Sequence, residues 1–284
     1  MADQSEQAEE ITKKSKSNLA FAFASLPKKT REDMVRFYAF CRVVDDIVDN
    51  LEASPEEKRR GLDHWRRGLD SGFDRPTSLE SDILTLRERY QIPTDHFHLI
   101  IDGMEMDIAP PRYETFEELK RYCYHVASAV GLISIEIFGY RDPGCRDYAE
   151  RLGYALQWTN IVRDVGQDWT ELERIYLPRE DLDRFDLSES DFAHPERKAA
   201  AFRDLLRFEG QRALTFHEEA AALLPPVDRR SMVAFEIMRN TYRAILDEMR
   251  SDEYQVFQKR YKPSRPRMVW ILTRTWLSGL LPRR

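Results

Sequence analysis

Between Arg31 and Asn50 the chain reads REDMVRFYAFCRVVDDIVDN, and Asp45, Asp46 and Asp49 fall within two turns of any helix it forms. On a helix turning about 100° per residue, Phe37, Tyr38, Cys41, Val44 and Val48 share an apolar face with Met34, and Asp45 and Asp49 lie inside that face. An ionised carboxylate on a buried face is costly unless it is paired or bound to a cation. Two readings stay open for this helix alone: a cation site, or Asp45 pairing with Arg42 three residues earlier while Asp49 caps the helix end. Asp46, about 100° round the helix, is placed to orient a neighbour.

A second stretch, Asp147 to Asp168, reads DYAERLGYALQWTNIVRDVGQD. The same wheel puts Gly153, Gln157, Asn160, Asp164 and Asp168 on one narrow polar stripe, with Leu152, Ala155, Leu156, Trp158, Ile161, Val162 and Val165 around it. A helix apolar on nearly every side is a core helix, so its stripe must line an internal cavity or face another polar surface. Set opposite Asp45 and Asp49, it surrounds one space with four carboxylates and an amide, an arrangement that calls for cations. Oxygen donors without Cys or clustered His select Mg²⁺ or Mn²⁺ over zinc. Magnesium keeps several waters and completes its shell with substrate phosphates, which makes a diphosphate the natural bridging ligand. A di-iron centre would need Glu-x-x-His on two helices, and the chain has none; Asp95 with His98 and Asp191 with His194 have the spacing without the glutamate and read as surface or structural groups.

The elements that would position these stripes are helical. Two-residue alternation is nearly absent, and apolar residues recur at three and four residue intervals through most of the chain, predicting an all-α bundle. Thr30 with Asp33, Ser54 and Pro55 with Glu57, and Thr115 with Glu118 have the spacing of helix N-caps, which starts helices near 31, 55 and 115. Further helices are expected over 14–24, 78–90, 95–107, 145–169, 196–223 and 228–252, separated by Pro93, Pro110 with Pro111, Pro143, Pro178, and Pro225 with Pro226. No repeat or low-complexity linker marks a second domain, so the expected organisation is a disordered acidic tail over 1–13, one helical domain over 14–255, and a basic amphipathic segment over 256–284.

The 284 residues, 42% hydrophobic and 33% charged, suffice for a large core. Lys and Arg number 44 against 50 Asp and Glu, so the net charge of −6 supports no nucleic-acid partner. Three scattered cysteines form neither a disulfide framework nor a zinc site, and with no basic and apolar leader the reading is a reducing, cytoplasmic protein. Eleven glycines include no pair two residues apart, which excludes GxGxxG, and GxxxxGK[ST] is also missing. The apolar run Met268–Leu281 is broken by Thr273, Arg274, Thr275 and Ser278 and falls short of the roughly 20 residues a membrane span needs.

With both stripes in view, the chain resembles the squalene/phytoene synthase family of head-to-head prenyl synthases. FYAFCRVVDDIVDN looks like that family's first Asp-rich motif, NIVRDVGQD followed by RIYLPREDL like its second, and MEMDIAPPRYETFEELKRYCYHVASAVG like its central helix pair. The likeness runs from about Ser15 to Arg250. It implies a helical bundle of the isoprenoid synthase type with a central apolar cavity. It also implies that Asp45, Asp49, Asn160, Asp164 and Asp168 hold magnesium and diphosphate. Lys14, Ser15, Lys16, Ser17, Tyr38, Arg42, Gln157, Arg163 and Tyr242 match positions that contact diphosphate or the allyl group, and Tyr122 matches a tyrosine that assists ionisation or proton transfer. His125, Ser128 and Asn18 depart from the family's pattern, and these departures bear on the channel for the polyprenyl tails.

The implied reaction is head-to-head joining of two isoprenyl diphosphates. One allylic cation is attacked by the C2–C3 double bond of the second substrate, and proton loss gives a cyclopropylcarbinyl diphosphate. Two farnesyl diphosphates giving presqualene diphosphate or squalene is preferred to geranylgeranyl diphosphate giving phytoene; only a reductive second step would call on NADPH. Val126, Ala127, Val130, Ile133, Ile137 and Phe138 are candidates to line the channel. A class I terpene cyclase is the second enzyme reading, disfavoured because that class usually carries Ser or Thr and Glu where Asp164 and Asp168 stand. A non-catalytic assembly factor of the same fold would have no reason to keep both stripes. From Lys259 to Arg284 eight basic residues and no Asp or Glu accompany Trp270, Trp276 and several leucines. That composition fits either an interfacial helix in peripheral contact with an anionic membrane or a helix docked on the bundle.

Overall fold

Ser54 opens a helix as its spacing to Glu57 requires: its hydroxyl accepts from the Glu57 N–H at 3.3 Å while the Glu57 carboxylate accepts from the Ser54 N–H at 2.8 Å. The computed structural model, which describes residues 22–109 and 112–280, is helical throughout, with no strand among the described residues. The helices are α1 (Lys28–Asp49), α2 (Pro55–Ser71), α3 (Ser78–Tyr90), α4 (Thr94–Met106), α5 (Phe116–Cys123), α6 (Ala129–Phe138), α7 (Cys145–Leu172), α8 (Arg179–Arg184), α9 (Ala199–Leu223), α10 (Val233–Ser251) and α11 (Arg265–Leu280). The acidic tail over 1–13, the residues Lys14, Ser15, Lys16 and Ser17, and most of the helix expected over 14–24 lie outside the described residues.

The predicted start near 31 is displaced. Helix α1 begins at Lys28 after Pro27, with no side-chain cap. Asp33 does not reach back to Thr30; it is buried, accepting from Arg89 at 2.9 Å and from the Tyr90 hydroxyl at 2.7 Å, which ties α1 to α3. The spacing had the look of a cap, but a tertiary ion pair claims the carboxylate.

Helix α7 is the axis of the bundle. It packs along α9 and also meets α5, α6 and α10, while α1 packs on α2, α3, α4 and α6. One core cluster gathers Phe37, Phe40, Trp65 and Phe97 from α1, α2 and α4; a second is built on Trp158 and Phe216, whose ring centroids lie 5.6 Å apart. Between α5 and α6 the chain widens into a single π turn, Tyr124–Ser128, a device common beside functional sites. Gly153 of α7 lies against that turn, where a Cβ would stand 2.5 Å from the Ser128 Cα, so only glycine lets the two backbones meet.

After α10 the chain does not leave the bundle. Glu253 and Tyr254 take left-handed φ values of 59° and 57°, and the strap that follows lies on α7 at Gly166, where a Cβ would be 2.5 Å from the Val256 carbonyl oxygen. Helix α11 then docks on α10 through buried Ile271 and Thr275, with Asn240 Nδ2 donating to Thr275 Oγ1 at 2.9 Å. No described helix is long and apolar enough to cross a membrane.

A buried histidine makes this core sensitive to pH. Thr159 Oγ1 donates to the Ala155 carbonyl at 2.7 Å and therefore accepts from His217 Nε2 at 3.1 Å, leaving buried Nδ1 unprotonated and without a partner. Burial, with Arg239 and Arg243 nearby, pushes His217 down from 6.5 to about 3. The unfolded chain binds the proton first, so stability from this group is complete above 6.5 and is lost as pH falls from 6.5 toward 3, at up to about 1.4 kcal/mol per pH unit. Urea denaturation across that range should show the loss, and His217→Gln should flatten it.

Candidate active site

Asp45 and Asp49 at the end of α1, Asp107 at the end of α4, Tyr122 of α5, Gln157 of α7, and Arg174 beyond α7 line one cavity of about 210 Å³. Of the α7 stripe only Gln157 lines this space; Asn160, Asp164 and Asp168 do not, and Asp168 borders a separate small hollow with Arg174 and Tyr176. The detail differs from the wheel: Asp45 and Asp49 side chains are 36% and 48% exposed, standing at the cavity rim, while Met34, Phe37, Val44 and Val48 form the buried face. Nor do the stripes close into one ligand shell, because among the described residues no three His, Cys, Asp or Glu side chains stand close enough to hold an ion by themselves.

Arginines are interposed instead. Arg42 donates to Asp45 at 2.5 Å and to Asp46 at 2.6 Å. Arg163 holds Asp164 through both carboxylate oxygens and is also hydrogen-bonded to Tyr242 of α10. Arg260, from the strap, lies 3.6 Å from the same Asp164. Arg174 stands 3.6 Å from Asp49 and 3.4 Å from the Asp107 carbonyl oxygen. Its position follows from the end of α7: Glu173 adopts φ 52°, and the Arg174 N–H returns to the Asp168 carbonyl at 3.0 Å, turning the chain back over the stripe.

Asp107 is the buried hub. It accepts from the Tyr122 hydroxyl at 2.8 Å and from Tyr176 at 3.2 Å, and the rings of Tyr122 and Tyr176 stack at 5.4 Å. Sequence reasoning found Tyr122 and missed Asp107, Tyr176, Arg174 and Arg260. The last two turns of α4, the return after α7 and the strap after α10 carry no spacing that ties them together, so only Asp107 in MEMD and Arg174 with Tyr176 in RIYLP lay within motifs already marked.

Electrostatics follow from crowding of like charge. Burial, then the charge of Asp49, pushes Asp45 up to about 6. Burial does the same to Asp107, to about 6, and burial with Asp164 raises Asp168 to about 7. Asn160 adds a buried Oδ1 with no hydrogen-bond partner among the described residues, while its Nδ2 reaches Gln157 at 3.4 Å. An all-oxygen donor set, carboxylates raised by burial and neighbouring charge, and an unused amide oxygen fit a hard divalent cation such as Mg²⁺.

Beside this polar cavity lies a small apolar hollow of about 60 Å³, bounded by Phe23, Met34, Phe37, Tyr38, Cys41, Ala127, Val130, Leu156, Phe235 and Met238. Ala127 and Val130 line it as expected. Val126 faces the polar cavity, Phe138 borders a different surface depression, and Ile133 and Ile137 are packed into the core, because the π turn rotates the helix beyond Ser128.

The architecture, an axial core helix that meets the acid-bearing end of α1 at one cavity through Gln157, is the all-α fold of the isoprenoid synthase type. A solved dehydrosqualene synthase in complex with a ligand superposes with a TM-score of 0.85 at 26% identity, covering 98% of this chain and 96% of that one. A family model described as squalene/phytoene synthase matches residues 12–267. The chain is 34% identical over 267 residues to a 15-cis-phytoene synthase of Synechocystis sp., covering 89% of this chain and 78% of that protein. It is 35% identical over 256 residues to a presqualene diphosphate synthase of Zymomonas mobilis, covering 88% and 85%. The chain belongs to the squalene/phytoene synthase family.

Removing the hub carboxylate takes away the acceptor shared by the buried Tyr122 hydroxyl and the part-buried Tyr176 hydroxyl. Asp107→Ala should therefore destabilise the fold by about 1–3 kcal/mol, and Asp107→Asn by less; urea denaturation monitored by circular dichroism measures both.

Proposed function

We propose that the protein is a divalent-cation-dependent prenyltransferase that joins two allylic isoprenyl diphosphates head to head, taking two farnesyl diphosphates to presqualene diphosphate. The observation that carries this reading is the pairing of carboxylates with arginines at and next to one cavity, together with an apolar hollow: anionic and cationic groups for a metal-bound diphosphate, greasy walls for its tail. Asp45, Asp49, Asn160, Asp164 and Asp168 would hold Mg²⁺ or Mn²⁺. When bound, the metal supplies a Lewis acid that favours departure of the diphosphate.

The remaining work falls to the chain. Arg42, Arg163, Arg174 and Arg260 are paired to carboxylates and exchange those partners for diphosphate oxygens, which keeps the charge of the cavity near balance. Tyr38 lines the hollow and Gln157 the cavity, and Lys14, Ser15, Lys16 and Ser17 are assigned to diphosphate by family position. Tyr122 Oη, held by Asp107 Oδ2, is placed to pass on the proton released when the cyclopropane ring closes. Apolar walls from Phe37, Leu156 and Val130 exclude the water that would quench an allylic cation.

The shorter tail is the preferred reading. Met34, eleven residues before Asp45 and about 16 Å along the helix, lines the hollow with Phe23 and Phe37 and is the side chain assigned to limit tail length. Relatives named phytoene synthase and presqualene diphosphate synthase stand at similar identity, so the longer substrate is the alternative that the experiment must exclude.

Incubation with farnesyl or geranylgeranyl diphosphate, each with and without NADPH, followed by mass analysis, tests the assignment. Presqualene diphosphate from farnesyl diphosphate is expected; a cyclic hydrocarbon made from a single substrate molecule would overturn head-to-head joining. Asp45→Asn and Asp164→Asn should each lower turnover by about a hundredfold or more with unchanged helical circular dichroism. Met34→Ala should lengthen the hollow and raise the ratio of geranylgeranyl to farnesyl turnover.

A further inference from the structure

Helix α11 buries one face and leaves another bare. Ile271 and Thr275 are 4% and 6% exposed against α10, whereas Val269, Trp270 and Leu277 are 56%, 57% and 50% exposed. These are three of the six large hydrophobic side chains that remain exposed among the described residues, gathered on a single helix of 16 residues. Apolar side chains scattered singly over a surface need no explanation, but a cluster on one helical face does.

The surroundings of this face are basic. Between α10 and α11 lies a cavity of about 490 Å³ whose walls carry five arginines, Arg229, Arg239, Arg243, Arg267 and Arg274, against two carboxylates, Glu236 and Asp247. The carboxylates are already used, Glu236 by Arg239 at 2.8 Å and Asp247 by Arg243 at 3.1 Å. Arg267 leans toward Glu248 at 3.7 Å, and Arg274 lies over the Trp270 ring at 5.0 Å. Among the described residues neither Arg229 nor Arg274 has a carboxylate partner. This positive end belongs to a chain of net charge −6, and no Asp or Glu occurs from Lys259 to Arg284.

We propose that this face of α11, with the arginine-lined cavity behind it, seats the protein on an anionic lipid bilayer. Trp270, Val269 and Leu277 enter the headgroup–acyl boundary, and Arg229, Arg267 and Arg274 meet lipid phosphates. At 16 residues the helix is too short to cross and lies in the plane of the surface. Charge decides between possible occupants: a second copy meeting this face by two-fold symmetry would set the same arginines against one another, whereas a bilayer supplies both an anionic plane and an apolar layer. The strap that leads into α11 carries Arg260, 3.6 Å from Asp164, so lipid contact at Arg267 is seven residues of chain away from the candidate active site. The proposal holds whichever diphosphate the enzyme uses.

Flotation of the full chain with vesicles tests it. Recovery with mixed phosphatidylcholine and phosphatidylglycerol vesicles is expected, with little on phosphatidylcholine alone and a sharp fall at high salt. Trp270→Ser combined with Leu277→Ser should weaken partitioning by about tenfold or more, and Arg274→Gln by roughly fivefold, with farnesyl diphosphate turnover in detergent unchanged. Undiminished flotation of these variants, or equal recovery on neutral vesicles, would overturn it. So would displacement by millimolar inorganic phosphate, which would assign the cavity to a free anion. A dimer in ultracentrifugation that the serine pair converts to monomer would assign the face to a second copy instead.

Discussion

Negative charge confined in a half-dry cavity is the constraint from which the rest of the active end follows. Asp45, Asp107 and Asp168 are each pushed up by burial and by neighbouring carboxylates, so a nearby cation favours the ionised form of each. The protein meets that demand with guanidinium groups from four different places: α1, α7, the turn after α7 and the strap after α10. Each is held by hydrogen bonds or ion pairs, and each has at least one carboxylate partner. Such a cavity is organised for a ligand that brings both signs of charge, which a metal diphosphate does.

Holding that cavity open beside an apolar hollow requires backbones to come unusually close. Gly153 admits the π turn against α7, and the turn in turn directs Val126 to the polar side and Ala127 to the apolar side. Gly166 admits the strap, whose Tyr254 and Val256 join the core cluster around Trp158. The strap therefore has two roles: it covers α7 with buried apolar surface and delivers Arg260 to Asp164. Its extension, α11, combines a docked face with an exposed one, so the two readings open to a basic Trp- and Leu-rich segment are compatible on a single helix.

Much was legible in the chain itself. The three-and-four periodicity, the Ser54 and Thr115 caps and the proline punctuation depend on neighbours within a turn or two, and those helices form where they were expected. The stripe on α7 was readable for the same reason: a core helix with one polar line must face something polar. Where local chemistry had a distant competitor the reading failed, as at Asp33, which serves Arg89 and Tyr90 rather than a helix start.

The amino-acid sequence by itself determined an all-α chain, two acid-bearing helices and the family to which it belongs, because periodicity and motif spacing are properties of contiguous residues. Tertiary structure alone decided that Asp45 and Asp49 stand at a rim, that Asp107, Tyr176 and Arg174 share their cavity, that Arg260 reaches Asp164, and which face of α11 is left bare. Those facts depend on segments far apart in the chain being brought within hydrogen-bonding distance, and no local pattern encodes which arginine will reach which carboxylate.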